Sequence, residues 1–111
     1  MTRILTIIAL LFVTPAAAFE VRATCSSASG NSLYFLNLSP NGGTVGYRFM
    51  GQEVDYKVEQ LMSDEANVYG LAEFDKAVTG ETKGRPFLFR YNSDENIFRE
   101  LNVTAFCKAT Q

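Results

Sequence analysis

From Phe19 onward, apolar and polar positions alternate with period two in short runs broken by clusters of Gly, Asn, Ser and Asp. That is the pattern of half-buried β-strands joined by tight turns. The clearest run is Glu53 to Glu59, where Val54, Tyr56 and Val58 share one face and Glu53, Asp55, Lys57 and Glu59 the other. Before it, Val45, Tyr47 and Phe49 alternate with Thr44, Gly46 and Arg48, and the Gly51-Gln52 step predicts a II′-type hairpin turn between the two strands. Ser32 to Ser39 predicts a further strand, linked onward by the turn signal Pro40-Asn41-Gly42-Gly43. Its centre, Leu33-Tyr34-Phe35-Leu36, is apolar on both faces, so alternation alone does not choose the inward side. Such a strand is either covered on both sides or carries a patch for a partner.

The second half keeps this rhythm. Asn67 to Phe74 reads as a strand after the polar turn Ser63-Asp64-Glu65-Ala66, and Pro86 to Tyr91 places Phe87, Phe89 and Tyr91 on one face. Asn92 to Asn96 is a turn, and Ile97 to Lys108 reads as one long final strand with Leu101, Val103, Ala105 and Cys107 inward. Asp75 to Arg85 is the longest connection and the expected mobile loop. No stretch after the first eighteen residues has helical periodicity; Val58 to Met62 or Ser63 to Tyr69 would form a turn or two of helix at most. With a first strand at Phe19 to Ser26, the expectation is all-β: an antiparallel meander of about seven strands, closed as a barrel or folded as a two-sheet sandwich.

Residues 1–18 have a different character. Arg3 gives a positive start, Ile4 to Val13 is apolar apart from Thr6, and Pro15 precedes the small residues Ala16-Ala17-Ala18. This is the layout of a secretory signal peptide cleaved after Ala18, and its apolar run is about half of the roughly 20 residues a spanning helix needs. One domain is expected over residues 19–111, periplasmic or secreted, without a membrane span. Export places the two cysteines where disulfides persist. Cys25 shares a face with Val21 and Ala23, and Cys107 shares one with Val103 and Ala105. A bridge between them would staple the first strand to the last from inside, and the wide separation lacks the spacing of a redox CxxC pair.

Composition removes many chemistries. Of 111 residues none is His or Trp, which excludes Ser-His and Cys-His pairs and His-ligated zinc. Twelve acidic against ten basic residues leave a net charge of −2, one unit more acidic without Arg3. That balance gives no footprint for nucleic acid. Asp64-Glu65 and Asp94-Glu95 read as solvated turn carboxylates without calcium-loop spacing, and there is neither a phosphate loop nor a nucleophile elbow. No cofactor or metal is expected. Asn102-Val103-Thr104 has the form of a glycosylation acceptor; Asn37-Leu38-Ser39 is weakened by the following Pro40.

Nine Phe and five Tyr are many for this length, and aromatics serve both cores and interfaces. Those off the inferred inward face are candidate partner-binding residues: Tyr34 or Phe35, Phe98 and Phe106. Lys83-Gly84-Arg85-Pro86 adds a cationic loop tip, whose Lys83 and Arg85 suit a carboxylate or phosphate on a partner. In size and in its cysteine on each terminal strand, the chain resembles the periplasmic inhibitors of C-type lysozyme. That family's Ser-Gly-containing loop enters from mid-chain, whereas Ser27-Ala28-Ser29-Gly30 directly follows the first cysteine here, and the family's tryptophan is missing. No functional residue is therefore transferred. The expected role is a small exported, non-enzymatic module that binds another exported protein. The alternatives are a barrel carrier of an apolar ligand and, more remotely, a hydrolase built on carboxylates or a Ser/Lys pair.

Overall fold

Period-two alternation gives each strand one apolar face, and the chain encloses these faces and pairs every strand edge at once by rolling into a closed antiparallel barrel. The computed structural model describes residues 20–80, 83–101 and 103–110. Residues 1–19, which include the expected signal peptide, and Asn102 of the expected glycosylation motif lie outside the described residues. Eight strands follow one another: β1 (Val21–Ser27), β2 (Ser32–Ser39), β3 (Gly42–Phe49), β4 (Gln52–Asp64), β5 (Asn67–Thr79), β6 (Phe87–Asn92), β7 (Ile97–Glu100) and β8 (Val103–Ala109). Each pairs with the next, and β8 closes on β1.

The barrel has eight strands where the alternation suggests seven, because the final run is a hairpin. Glu100 pairs with Val103 and the chain reverses at residues 101–102. The step lacks the Gly or Pro that usually marks such a turn. Leu101, expected inward, projects from the tip at 89% exposure. The reversal also switches parity, so Phe98 points inward with Glu100 while Val103, Ala105 and Cys107 keep the expected inward face.

Other boundaries move in the same way. The two central residues of the β3–β4 hairpin are Met50 and Gly51, between the paired Phe49 and Gln52. Both have positive φ (52° and 79°), as a I′ rather than a II′ turn requires. The β2–β3 loop is Pro40-Asn41 alone, with Gly42 and Gly43 already in β3. Strands β4 and β5 run well beyond their expected ends, so Val58 to Met62 is strand, Ser63 to Tyr69 is strand on either side of a turn at Glu65-Ala66, neither is helix, and the long connection shrinks to residues 80–86.

The long β4–β5 hairpin ties the barrel together diagonally. β4 pairs with β3 only as far as Val58, and β5 pairs with β6 only over Asn67 to Ala72. Three register shifts interrupt their mutual ladder, and bulges of this kind add the local twist that closure needs. At the first shift the Glu53 amide donates to Thr79 Oγ1 at 2.8 Å, so a hydroxyl replaces the displaced backbone partner.

Eight strands leave an interior just wide enough for side chains, and aromatic rings form its central column. Tyr47 meets Tyr34 (5.0 Å between centroids), Tyr34 meets Phe98 (4.6 Å), and Phe98 meets Phe89 (5.5 Å). Phe87 and Tyr56 continue the column. Gly70, across from Phe89, makes room for it: a Cβ there would lie 2.6 Å from Phe89 Cζ. Val45, Leu36, Leu38, Val58 and Ala105 fill the remaining space.

Cys25 and Cys107 are directly opposite one another in the β1–β8 ladder, and a disulfide joins them across 82 residues of chain. The bridge seals the seam between the first and last strands. Reducing it is expected to cost about 4 kcal/mol, because a loop of this length holds down the unfolded chain's entropy; urea denaturation with and without reductant measures this. Phe98→Ala is expected to cost about 3–5 kcal/mol by leaving a cavity in the ring column, whereas Leu101→Asn should stay within about 0.5 kcal/mol. Had Ile97 to Lys108 been one strand, the two substitutions would rank the other way.

Candidate functional site

Two features of the barrel can meet a ligand: one mouth and one stretch of outer wall. The mouth lies at the end bearing the 28–31, 50–51, 80–86 and 101–102 connections. A depression of about 200 Å³ opens there among Tyr47, Phe49, Val54 and Tyr56, with Lys83 and Gly84 on its rim. Gly84 lies so close over the Tyr56 ring that any Cβ would overlap its hydroxyl. Only glycine lets the connection close down at this point.

Just inside the mouth, the Tyr34 hydroxyl donates to Glu100 Oε2 at 2.9 Å, and the Ser32 and Tyr47 hydroxyls lie 3.4 Å apart. Burial, reinforced by the Glu100 carboxylate, pushes the Tyr34 phenol far above its ordinary range. Tyr56 is raised by burial and then by Glu100, and Tyr91 by burial alone. These phenols hold their protons, and Tyr34 and Tyr91 donate them to Glu100 and Asn96. A general base at neutral pH needs the opposite shift. Among the described residues, no three Asp, Glu or Cys side chains gather as a metal group.

The outer wall over β4–β6 is apolar where most sheet exteriors are polar. Met62 (72% exposed), Tyr69 and Leu88 (73% exposed) project from it, and half-buried Leu71 pairs with Leu88. Two open depressions, of about 410 and 520 Å³, share Tyr69, Leu88 and Phe89 and so form one continuous groove. Its far side is bounded by Arg90, Arg99, Leu101 and Thr104. Local sequence explains the patch. Phe87-Leu88-Phe89 and Val68 to Ala72 are apolar at every position, so alternation must turn half of each run outward.

Charge is divided around the same wall. β4 and β5 carry six carboxylates (Glu53, Asp55, Glu59, Asp64, Glu73, Asp75) against Lys57 and Lys76. β6, β7, β8 and β1 carry Arg90, Arg99, Lys108 and Arg22, and their sole carboxylate, Glu100, points into the barrel.

The residues singled out from sequence are scattered by the fold. Tyr34 and Phe98 are 1% and 0% exposed and pack on each other in the ring column, which removes them from any surface. For Phe98 the cause is the parity switch at 101–102; for Tyr34 it is the burial of the even-numbered face of β2. Phe35 is on the outer face, half-buried, with the Arg48 guanidinium 5.3 Å above its ring and Gly46 opposite. Phe106 is exposed on the outside of β8, between Ile97 and Ser26 in register. Lys83 stands at the mouth and Arg85 is exposed on the same connection. The groove residues Met62, Tyr69, Leu71, Leu88, Arg90 and Arg99 were not foreseen. For Tyr69, Leu71 and Leu88 the signal that would have found them is the one noticed in β2, an apolar run with no polar alternate; Met62, Arg90 and Arg99 carry no such local signal. No family model, no curated protein and no solved structure matches the chain.

The buried phenols give a pH test. A tyrosine whose folded pKa lies above its unfolded value near 10 supports the fold fully below about pH 10 and loses that support as pH rises further. Urea midpoints are therefore expected to hold steady from pH 7 to 9.5 and to fall above pH 10. Tyr34→Phe should flatten that fall, and at pH 7 it should cost about 1.5–3 kcal/mol by removing a hydrogen bond to a charged acceptor.

Proposed function

We propose that the protein is a small exported, non-enzymatic binding module that engages another protein through the outer groove over β4–β6. The observation carrying this reading is the continuous exposed apolar surface of Met62, Tyr69, Leu71 and Leu88 with a polar and cationic rim. Apolar area left in water without a structural purpose is a liability, and rimmed patches of this kind mark interaction sites. The Cys25–Cys107 bridge supports an oxidising compartment, periplasmic or extracellular.

The two other readings draw less support. A carrier needs a cavity of roughly 300 Å³ or more, whereas the ring column occupies the barrel centre and the mouth depression is about 200 Å³. A hydrolase needs an activated base, and the phenols clustered with Glu100 are shifted toward holding their protons.

Leu88→Asp tests the proposal, since a side chain 73% exposed can be changed without disturbing the core. The wild-type protein, immobilised and exposed to its host's exported fraction, is expected to retain a protein at fixed stoichiometry by native mass spectrometry. Leu88→Asp should lower that retention about tenfold or more, as loss of a central apolar contact does, while Asn37→Asp, exposed on β2 across the barrel from β6, should not. Equal retention by both variants would sink the proposed surface. A small-molecule mass on the isolated barrel would favour the carrier.

A further inference from the structure

Arg90 and Arg99 are directly opposite one another on adjacent strands of the outer wall. Like charges in that relation repel and weaken a sheet. Neither guanidinium makes an ion pair among the described residues, although the molecule's other strand arginines, Arg22 and Arg48, do. A chain of net charge −2 with six carboxylates on β4 and β5 had ample means to neutralise the pair and has not done so. Instead the two cations line the same depression as Leu88, Leu101 and Thr104, on the half of the barrel with no outward strand carboxylate.

We infer that this site takes an acidic segment of the partner protein, one carboxylate held between Arg90 and Arg99 and a neighbouring apolar side chain lodged against Leu88. The inference rests on the binding-module reading and names the chemistry of its partner. Paired guanidiniums match a carboxylate's geometry and gain most where apolar walls thin the surrounding water. Docking one anion converts the cross-strand repulsion into a bridged pair. An acidic protein segment fits better than a lipid surface on two counts. Membrane-adhesive clusters use roughly four to eight cations, and among the described residues this depression is lined by two, Arg90 and Arg99. Of the apolar side chains lining the depression, Leu101 stands on a turn while Tyr69, Leu88, Phe89 and Val103 belong to strands, so they do not form a row of loop tips.

The test follows side-chain NMR signals of the folded, disulfide-bonded protein. Four probes are added separately: a capped tetrapeptide alternating leucine with aspartate, its leucine–asparagine counterpart, inorganic phosphate, and vesicles of phosphatidylcholine with phosphatidylglycerol. The acidic peptide is expected to shift the Arg90 and Arg99 Nε–H and Leu88 methyl signals saturably, and the neutral peptide to bind about tenfold more weakly. Arg99→Gln should weaken the acidic peptide by a similar factor and, at the same time, raise the urea midpoint by relieving the repulsion. Arg99→Lys, which keeps the charge, should retain part of the binding. A merely structural pair would give the reverse on stability, with a lowered midpoint for Arg99→Gln.

Equal affinity for the two peptides overturns the inference, as do shifts of the same size at Lys108 and Arg22. Phosphate saturating the pair without any peptide response overturns it in favour of a free anion. Vesicle binding that Arg99→Gln abolishes, again without peptide response, overturns it in favour of a membrane. The readout is a peptide and not the natural partner, so its failure beside a positive Leu88 result overturns only the acidic chemistry assigned to the partner, whereas failure of the Leu88 result removes the surface on which this inference rests.

Discussion

Closure of β8 onto β1 is the constraint on which the rest of the molecule depends. A meander of eight short strands left open would expose two unpaired edges and half of its apolar alternation. With Cys25 opposite Cys107 in the ladder and bridged to it, the edges vanish and every inward position is enclosed. The bridge acts chiefly on the unfolded chain, which matters because small domains are only marginally stable. The I′ turn at Met50-Gly51 and the bulges of β4–β5 serve the same end, since each adds twist in the sense that brings the last strand round to the first.

Closure also sets what the inside is for. Eight strands of this length leave space that rings can fill, and Tyr47, Tyr34, Phe98, Phe89, Phe87 and Tyr56 fill it as a contacting column. The polar atoms accompanying these rings are gathered at one mouth, where Glu100 receives the Tyr34 hydroxyl. Their chemistry is that of a satisfied interior. An interior already occupied by its own side chains directs attention to the wall outside.

The outer wall departs from local rules at a few positions, and they adjoin one another. Leu88 and Met62 face water, and Arg90 faces Arg99. Each choice costs stability when considered alone, whereas other parts of the wall are conventional, as in the Arg48–Glu53 and Lys57–Glu59 pairs, although Phe106 and Val78 are also exposed. Departures of this kind concentrate where a protein meets something else. The division of charge, acidic over β4–β5 and cationic from β6 round to β1, gives that contact a polarity that neither net charge nor composition discloses.

Much of the architecture was legible along the chain. Alternation at Val54-Asp55-Tyr56-Lys57-Val58, the inward set Phe87, Phe89 and Tyr91, the all-β class and the pairing of Cys25 with Cys107 all follow from local pattern, because side-chain direction in a strand depends only on parity. Parity is also where local reading fails. A turn at 101–102 without Gly or Pro reverses the face of β7, and that reversal moves Phe98 from the surface to the centre of the core. Apolar runs such as Leu33 to Leu36 or Phe87 to Phe89 state that something apolar must face outward, but not which neighbours it will meet there. The groove joins residues from β4 to β8, and the Arg90–Arg99 pair exists only because two strands share a register. The sequence by itself determined the all-β class, the inward faces of the regularly alternating strands and the seam between the first strand and the last. The tertiary structure alone decided the surface, since register and closure are properties of pairs of strands and no single strand contains them.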